Sequence, residues 1–413
     1  MISRPSSNKI KNQSERKLSV FVTLWPLTYK NTNPFTSRML LFNCFIFIML
    51  FNGLTACEKD NKSKSVETTT TEYAKGFSLT KKGTCTEIEL KEPYAQAKSS
   101  FKYLLVPKTE KVPPHDAQVQ VIRTPVEKIV CTSTSHVALL DYLNETDKLV
   151  GFPSTELISS KSVRMRIDSG LVTDLGMDKE MNLELLFSLH PDLVMGYSLS
   201  GDMGNLNKVK ALGIPVVINA EYLENHPLGR AEWIKYMAAF FGKEKLADSI
   251  FNNIKNEYLK NKSLVGKVSL KPTVMSGILY GDAWFLPGGN NYGAKIFQDA
   301  GYHYLWEEDS SNSFLKLSFE TVLSKGEEAD YWIGVGSFRS KEEMKSAEPR
   351  YALFQPFKTS HIYTYDARIG PTGGSEYLEL GYSRPDLILK DLIKIAHPEL
   401  LPDYELYFHK KLN

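Results

Sequence analysis

Short apolar runs alternate along this chain with longer stretches whose apolar residues recur at helical spacing. Lys128-Ile129-Val130-Cys131, Leu149-Val150-Gly151-Phe152, Leu193-Val194-Met195-Gly196 and Gly213-Ile214-Pro215-Val216-Val217-Ile218 read as strands. Helical stretches lie between them, Val137 to Leu143 being the first, so residues 128–228 predict a βα alternation around a parallel sheet. Residues 265–401 repeat the theme. Strands are predicted at Thr273 to Tyr280, Ala329 to Val335 and His361 to Tyr365, and helices at Tyr292 to Ala300 and Pro385 to Ala396. Gly281-Asp282-Ala283-Trp284 reads as a turn. Residues 229–264 connect the two lobes: Arg230 to Phe241, a break at Gly242, then Lys243 to Lys262 with Leu246, Ile250, Ile254 and Tyr258 spaced at four. At 1.5 Å per residue, roughly 20 helical residues span about 30 Å, enough to run from one lobe to the other. Ahead of the lobes, residues 76–127 predict a β segment, with Cys85 to Leu90 alternating at period two, and residues 402–413 read as a tail.

One pattern occurs twice. Asn182-Leu183-Glu184-Leu185-Leu186 leads into His190-Pro191-Asp192-Leu193-Val194, and Ser318-Phe319-Glu320-Thr321-Val322 leads into Ala329-Asp330-Tyr331-Trp332-Ile333. Asn182 and Ser318 are N-cap residue types, and Glu184 and Glu320 both fall in the first helical turn. A repeated helix–strand unit predicts two lobes of one design, which work at the crevice between them.

The N-terminus reads as an address. Leu40 to Phe51 is an apolar run of signal-peptide length, too short for a comfortable membrane span, and Leu54-Thr55-Ala56-Cys57 closes it. This resembles a bacterial lipobox, which makes residues 1–57 a signal-peptide region, Met39 its natural start, and Cys57 the lipidated residue. Residues 58–75, with four consecutive threonines, read as a polar tether that does not pack. Of the other cysteines, Cys44 is lost with the signal, while Cys85 and Cys131 are either a disulfide or two separate buried thiols.

The net charge of +2 over 413 residues gives no basic field for nucleic acid. No two of the eight histidines lie at metal-ligand spacing from each other, which disfavours a direct site of several histidines, and the Gly-x-Ser-x-Gly, His-Glu-x-x-His and Walker patterns are missing.

The order of elements resembles the substrate-binding proteins of ABC importers for ferric siderophores, haem or cobalamin. The resembling residues run from Lys128-Ile129-Val130-Cys131-Thr132-Ser133-Thr134-Ser135-His136 through Met181-Asn182-Leu183-Glu184, Gly213-Ile214-Pro215-Val216 and Phe241-Gly242-Lys243-Glu244. They continue with Pro287-Gly288-Gly289-Asn290, Asp299-Ala300-Gly301, Leu317-Ser318-Phe319-Glu320 and Ala396-His397-Pro398-Glu399. The β segment before residue 123 and the stretch Gly370 to Pro385 depart from the family pattern. The resemblance implies two Rossmann-like α/β lobes joined by a single long helix, no enzymatic activity, and no cofactor beyond iron or cobalt inside the transported ligand. It also implies that Glu184 and Glu320 dock on a membrane permease, whose ATPase subunits lie on other chains. The expected protein is a monomeric carrier in the periplasm or cell envelope, tethered to the membrane by its lipid.

Ligands bind outside the carboxyl ends of strands, where the loops of two such sheets face each other. That rule nominates Ser133, Ser135, His136 and Glu156 with Tyr197 in the first lobe. In the second it nominates Tyr280, Asp282, Trp284, Phe338 and Arg368. Trp284, placed in a turn, suits stacking on a planar ligand. Arg368 suits a carboxylate or catecholate, whereas Arg384 reads as a salt-bridge residue. Two rival functions fit the same fold: an enzyme acting on a chelate or cofactor in the cleft, and a capture lipoprotein without transport.

Overall fold

The computed structural model describes residues 67–69, 71–266 and 268–413. Cys57, the lipobox and the start of the tether lie outside the described residues.

The N-terminal sheet is formed by β1 (Glu67–Thr69), β2 (Phe77–Lys82), β3 (Cys85–Leu90), β4 (Phe101–Pro107) and β5 (Gln120–Thr124), in that order. Its pairs are antiparallel except β4 with β5. The N-lobe follows with β6 (Ile129–Cys131), β7 (Leu149–Phe152), β8 (Thr173–Asp174), β9 (Leu193–Gly196) and β10 (Val216–Ile218). They form an all-parallel sheet of order β10-β9-β6-β7-β8. The strand residues of β6, β9 and β10 are fully buried, as a parallel sheet covered on both faces requires.

Strand β10 is an edge, and unpaired edge groups need covering. The N-terminal sheet supplies the cover. The Gln120 amide donates to the Val216 carbonyl (2.8 Å) and accepts from the Val216 N–H (3.4 Å), and the Tyr103 hydroxyl accepts from Ile218 N–H (3.2 Å). The β segment is thus part of the N-lobe and shares its core.

The tether is shorter than the sequence implied. β1 pairs with β2, and the backbone N–H groups of Glu72, Tyr73 and Ala74 donate to the buried Glu232 carboxylate. Those of Lys75 and Gly76 donate to Glu224. Threonine favours strands, and two buried acceptors contributed by a distant segment give this polar stretch a binding site.

Three helices join the lobes: Pro227–Glu232, Ile234–Ala239 and the 22-residue Glu244–Val265. The last is about 33 Å long. It buries Ala247, Phe251, Ile254, Tyr258 and Val265 along one stripe and lies against the closing helix Pro385–Ala396. Its residue Tyr258 donates to Asp299 of the C-lobe (2.8 Å), which Lys262 and Lys295 also approach.

The C-lobe begins with β11 (Thr273–Ser276), β12 (Ile278–Tyr280) and β13 (Ala283–Pro287). β14 (His303–Tyr304), β15 (Phe314–Leu317), β16 (Tyr331–Ile333), β17 (Ile362–Thr364) and β18 (Lys410–Lys411) follow. The order of its main sheet is β14-β11-β16-β17-β18, parallel except for β18. Residues 402–413 are therefore not a loose tail: β18 closes the sheet edge and Phe408 is in the core. Thr273 to Tyr280 is two strands, not one. Gly277 breaks it at φ +80°, where a side chain would run into the Phe285 carbonyl. β12, β13 and β15 form a separate antiparallel sheet. Cys85 and Cys131 are separate buried thiols, and burial raises the Cys131 pKa.

The candidate interlobe site

The loops after β7 and β17 meet across the cleft. Glu379, in the helix Glu376–Leu380, accepts from the N–H groups of Ser159 (2.6 Å) and Ser160 (2.9 Å). Thr372 donates to the Glu156 carbonyl (2.7 Å), and Gly374 packs so closely on Leu157 that a side chain there would collide with its backbone. Burial pushes the Glu379 carboxyl up to about 7, against the pull of the two backbone amides. Arg384 pairs with Asp386 (2.7 Å), as read, and also reaches the Tyr142 hydroxyl of the N-lobe (3.1 Å). The segment Gly370 to Pro385, outside the family pattern, is thus a strap between the lobes. Beside it lies a hollow of about 500 Å³ lined by Asp141, Tyr142, Ser160, Arg368, Glu376 and Tyr407. A second interlobe hollow, about 460 Å³, lies among Tyr73, Lys75, His226, Asn290 and Lys295.

On the N-lobe side, Ser133 and Ser135 do come together at the end of β6: their hydroxyls are 2.9 Å apart, and Ser135 donates to Glu221 (2.5 Å). Glu221, which the sequence reading missed, is buried, with one carboxylate oxygen unpartnered among the described residues. His136 corrects the sequence reading. It points into the N-lobe, is fully buried, and burial lowers its pKa, so it is a neutral core residue and not a cleft residue. Glu156 contributes its backbone to the lobe contact while its side chain is exposed. Tyr197 is half-buried beside Asp178, and burial first, then that carboxyl, raises its pKa.

On the C-lobe side, Trp284 is the second correction. It lies in β13, not in a turn, and is fully buried. It stacks on Trp332 at 5.3 Å and donates to the Ser276 carbonyl (3.0 Å). Because a strand alternates, the neighbouring Phe285 is the residue that faces outward. Tyr280 and Asp282 are exposed on the same hairpin, Tyr280 at 78%. Phe338 is half-buried against Tyr351, and Arg368 lies 4.0 Å over the Tyr407 ring.

Behind this rim is a cavity of about 270 Å³ at the carboxyl ends of β11, β16 and β17. Its walls include Phe285, Phe314, Tyr292, Tyr365, Tyr377 and Tyr382. Arg230, from the helix that starts the connector, spans it: the guanidinium lies 4.1 Å over Tyr292 and 4.9 Å over Tyr382 and donates to the carbonyls of Tyr222 and Glu224. His409 also lines it, its Nδ1 fixed by Asp391 at 3.0 Å. Sequence reasoning missed this set because its members come from five separate segments. The one local signal is the pair Tyr377 and Tyr382 in the strap.

Glu184 and Glu320 occupy equivalent places. Each is exposed in the first turn of a helix, Leu183–Ser188 and Phe319–Gly326, whose N-cap side chain (Asn182, Ser318) accepts from the third residue on. Glu320 pairs with Arg350 at 3.2 Å.

Among the described residues, no group of three His, Cys, Asp or Glu side chains is placed to hold a metal ion, and no helix is long and apolar enough to cross a membrane. The family model for periplasmic binding proteins matches residues 129–369. An uncharacterized lipoprotein of Methanocaldococcus jannaschii is 27% identical over 327 residues, 76% of each chain. The fold is similar to that of a periplasmic binding protein from Veillonella parvula (18% identity, TM-score 0.54, 76% of this chain and 99% of that one). It is also similar to that of a periplasmic heme-binding protein from Pseudomonas aeruginosa (15% identity, TM-score 0.52, 70% and 98%). With more than half its length matched and two α/β lobes facing across a strapped cleft, the chain belongs to the periplasmic binding protein family.

Proposed function

We propose that this chain is a lipid-tethered substrate-binding protein of an ABC importer, which captures an iron complex (a ferric siderophore or haem) or cobalamin between its lobes and delivers it to a permease. The observation that carries the reading is the matched pair Glu184 and Glu320. Each is an exposed carboxylate in the first turn of a capped helix, one per lobe. A first-turn acid is favourable by only about 0.3–1 kcal/mol, which does not account for its recurrence on both lobes in an exposed setting. A permease presenting two cationic patches at the matching spacing would engage both at once, so the pair reads the presence of both lobes together.

The importer reading also draws on the lipoprotein name of the archaeal relative and on the fold shared with a heme-binding protein. The lipid at Cys57 keeps the carrier near the membrane, and the polar stretch before β1 gives it reach. The long connecting helix and the strap allow only small changes in the angle between the lobes.

The test is the double variant Glu184→Arg/Glu320→Arg. Uptake of the radiolabelled chelate falls to the level of a deletion strain, while calorimetric affinity for the same chelate stays within about twofold, because neither residue lies in the cleft. Undiminished uptake by the double variant overturns the proposed docking.

A further inference from the structure

The aromatic cavity of the C-lobe holds more hydrogen-bonding capacity than the protein uses. Its tyrosines form one chain of rings: Tyr365 stacks on Tyr377 at 4.8 Å, Tyr377 meets Tyr382 at 6.0 Å, and Tyr382 meets Tyr292 at 5.9 Å. The hydroxyls lie close enough that Tyr377 feels those of Tyr292, Tyr382 and Tyr365. The Tyr292 hydroxyl is buried without a hydrogen-bond partner among the described residues. No hydrogen bond offsets burial at Tyr365 or Tyr377 either, and both are raised, Tyr365 to about 12. These phenols keep their protons and are available as donors.

Arg230 adds the charge. Its Nε and one terminal nitrogen are spent on two carbonyls, and no carboxylate pairs with it among the described residues. A cation without a counter-ion beside partnerless O–H groups is the reverse of how interiors are usually finished. A ligand supplying anionic oxygen would complete both. The aromatic walls ask for a flat group, and about 270 Å³ is slightly below the usual size of a whole small-molecule site, so only part of a larger chelate fits.

We propose that this cavity is the specificity subsite of the cleft, and that it takes a ring-sized planar group bearing an anionic oxygen, held by the hydroxyls of Tyr292 and Tyr377 and by the Arg230 guanidinium. This rests on the substrate-binding reading above. It assigns recognition to the organic part of the ligand and not to its metal.

The probes are 2,3-dihydroxybenzoate, its ferric complex and the uncharged 2,3-dihydroxybenzyl alcohol, titrated calorimetrically into the purified full chain and into Tyr292→Phe, Tyr377→Phe and Arg230→Gln. The acid or its ferric complex binds, and the alcohol binds at least roughly tenfold more weakly. Each substitution weakens the acid by roughly tenfold or more. Tyr292→Phe leaves the melting temperature of the unliganded protein unchanged or raised, because the hydroxyl it removes has no protein partner. Equal affinity of the Tyr variants and the wild type for either probe, or no binding of the acid and its complex, overturns the subsite. Failure of the importer reading looks different: the acid binds as described while uptake is indifferent to Glu184→Arg/Glu320→Arg.

Discussion

At the carboxyl ends of its strands the N-lobe presents serines turned toward a buried glutamate, with Ser135 donating to Glu221 and a neutral histidine sealed beneath. At the equivalent ends the C-lobe presents tyrosine rings around a cavity, with Arg230 laid across them. The outer surfaces differ much less, since both lobes carry a capped helix with a first-turn glutamate. The repeated design thus extends to the framework and the exposed helix starts, while the two inner faces differ. On the proposed reading, a cleft built from one polar and one aromatic wall would take ligands with a polar side and a flat side, which neither wall would select alone.

The comparison breaks most visibly at β13. Trp284→Ala removes a fully buried ring stacked on Trp332 and should cost about 3–5 kcal/mol, read as a lower denaturation midpoint. Phe285→Ala, one residue away on the cavity side, should cost much less stability and instead weaken binding of planar ligands. If Trp284→Ala proved the less destabilising of the two, the assignment of inner and outer faces of this strand would be wrong.

The strap sharpens the comparison through pH. The Glu379 carboxyl is raised from 4.5 to about 7 by burial against the N-lobe amides. A raised carboxyl binds its proton more tightly in the native contact than in the opened chain. Its contribution is therefore fully present below about pH 4.5 and is lost as pH rises through about 7, on the order of 3 kcal/mol in all. Glu379→Gln should flatten that part of the stability–pH curve relative to wild type, as measured by urea unfolding at pH 5 and pH 8. Parallel curves for the two proteins would remove Glu379 as the cause.

The smallest effect belongs to Tyr280. Its ring is 78% exposed and makes one edge contact with Phe285, so Tyr280→Ala should change stability by about 0.5 kcal/mol or less. A larger loss in unliganded protein would mean that the hairpin depends on this ring.

Much of the site was not legible from sequence for reasons particular residues show. The place of Ser133 and Ser135 at the end of β6 was legible because a strand followed by small hydroxyl residues marks a loop at the sheet's carboxyl end. Trp284 faces inward because Gly281-Asp282 alone turns the chain and the strand resumes at Ala283, two residues before the predicted end of the turn. His136 follows the same loop, yet its helix begins at Thr134 and turns the ring into the core. Tyr292, Tyr365, Tyr377, Tyr382 and Arg230 come from the second lobe, the strap and the connector, and no spacing links them.

The sequence by itself determined the two α/β lobes, the helical connector, the capped helix starts with Glu184 and Glu320, and the closing helix from Pro385 to Ala396. Each of these depends on periodicity and capping, which act over a few residues. Only the tertiary structure decided that the residues after Gly370 cross to the N-lobe, that residues 72–76 are held by Glu224 and Glu232, and that the last residues return as β18. Those outcomes rest on hydrogen bonds and strand pairings between groups separated in sequence by 46 to 220 residues, to which local pattern is blind.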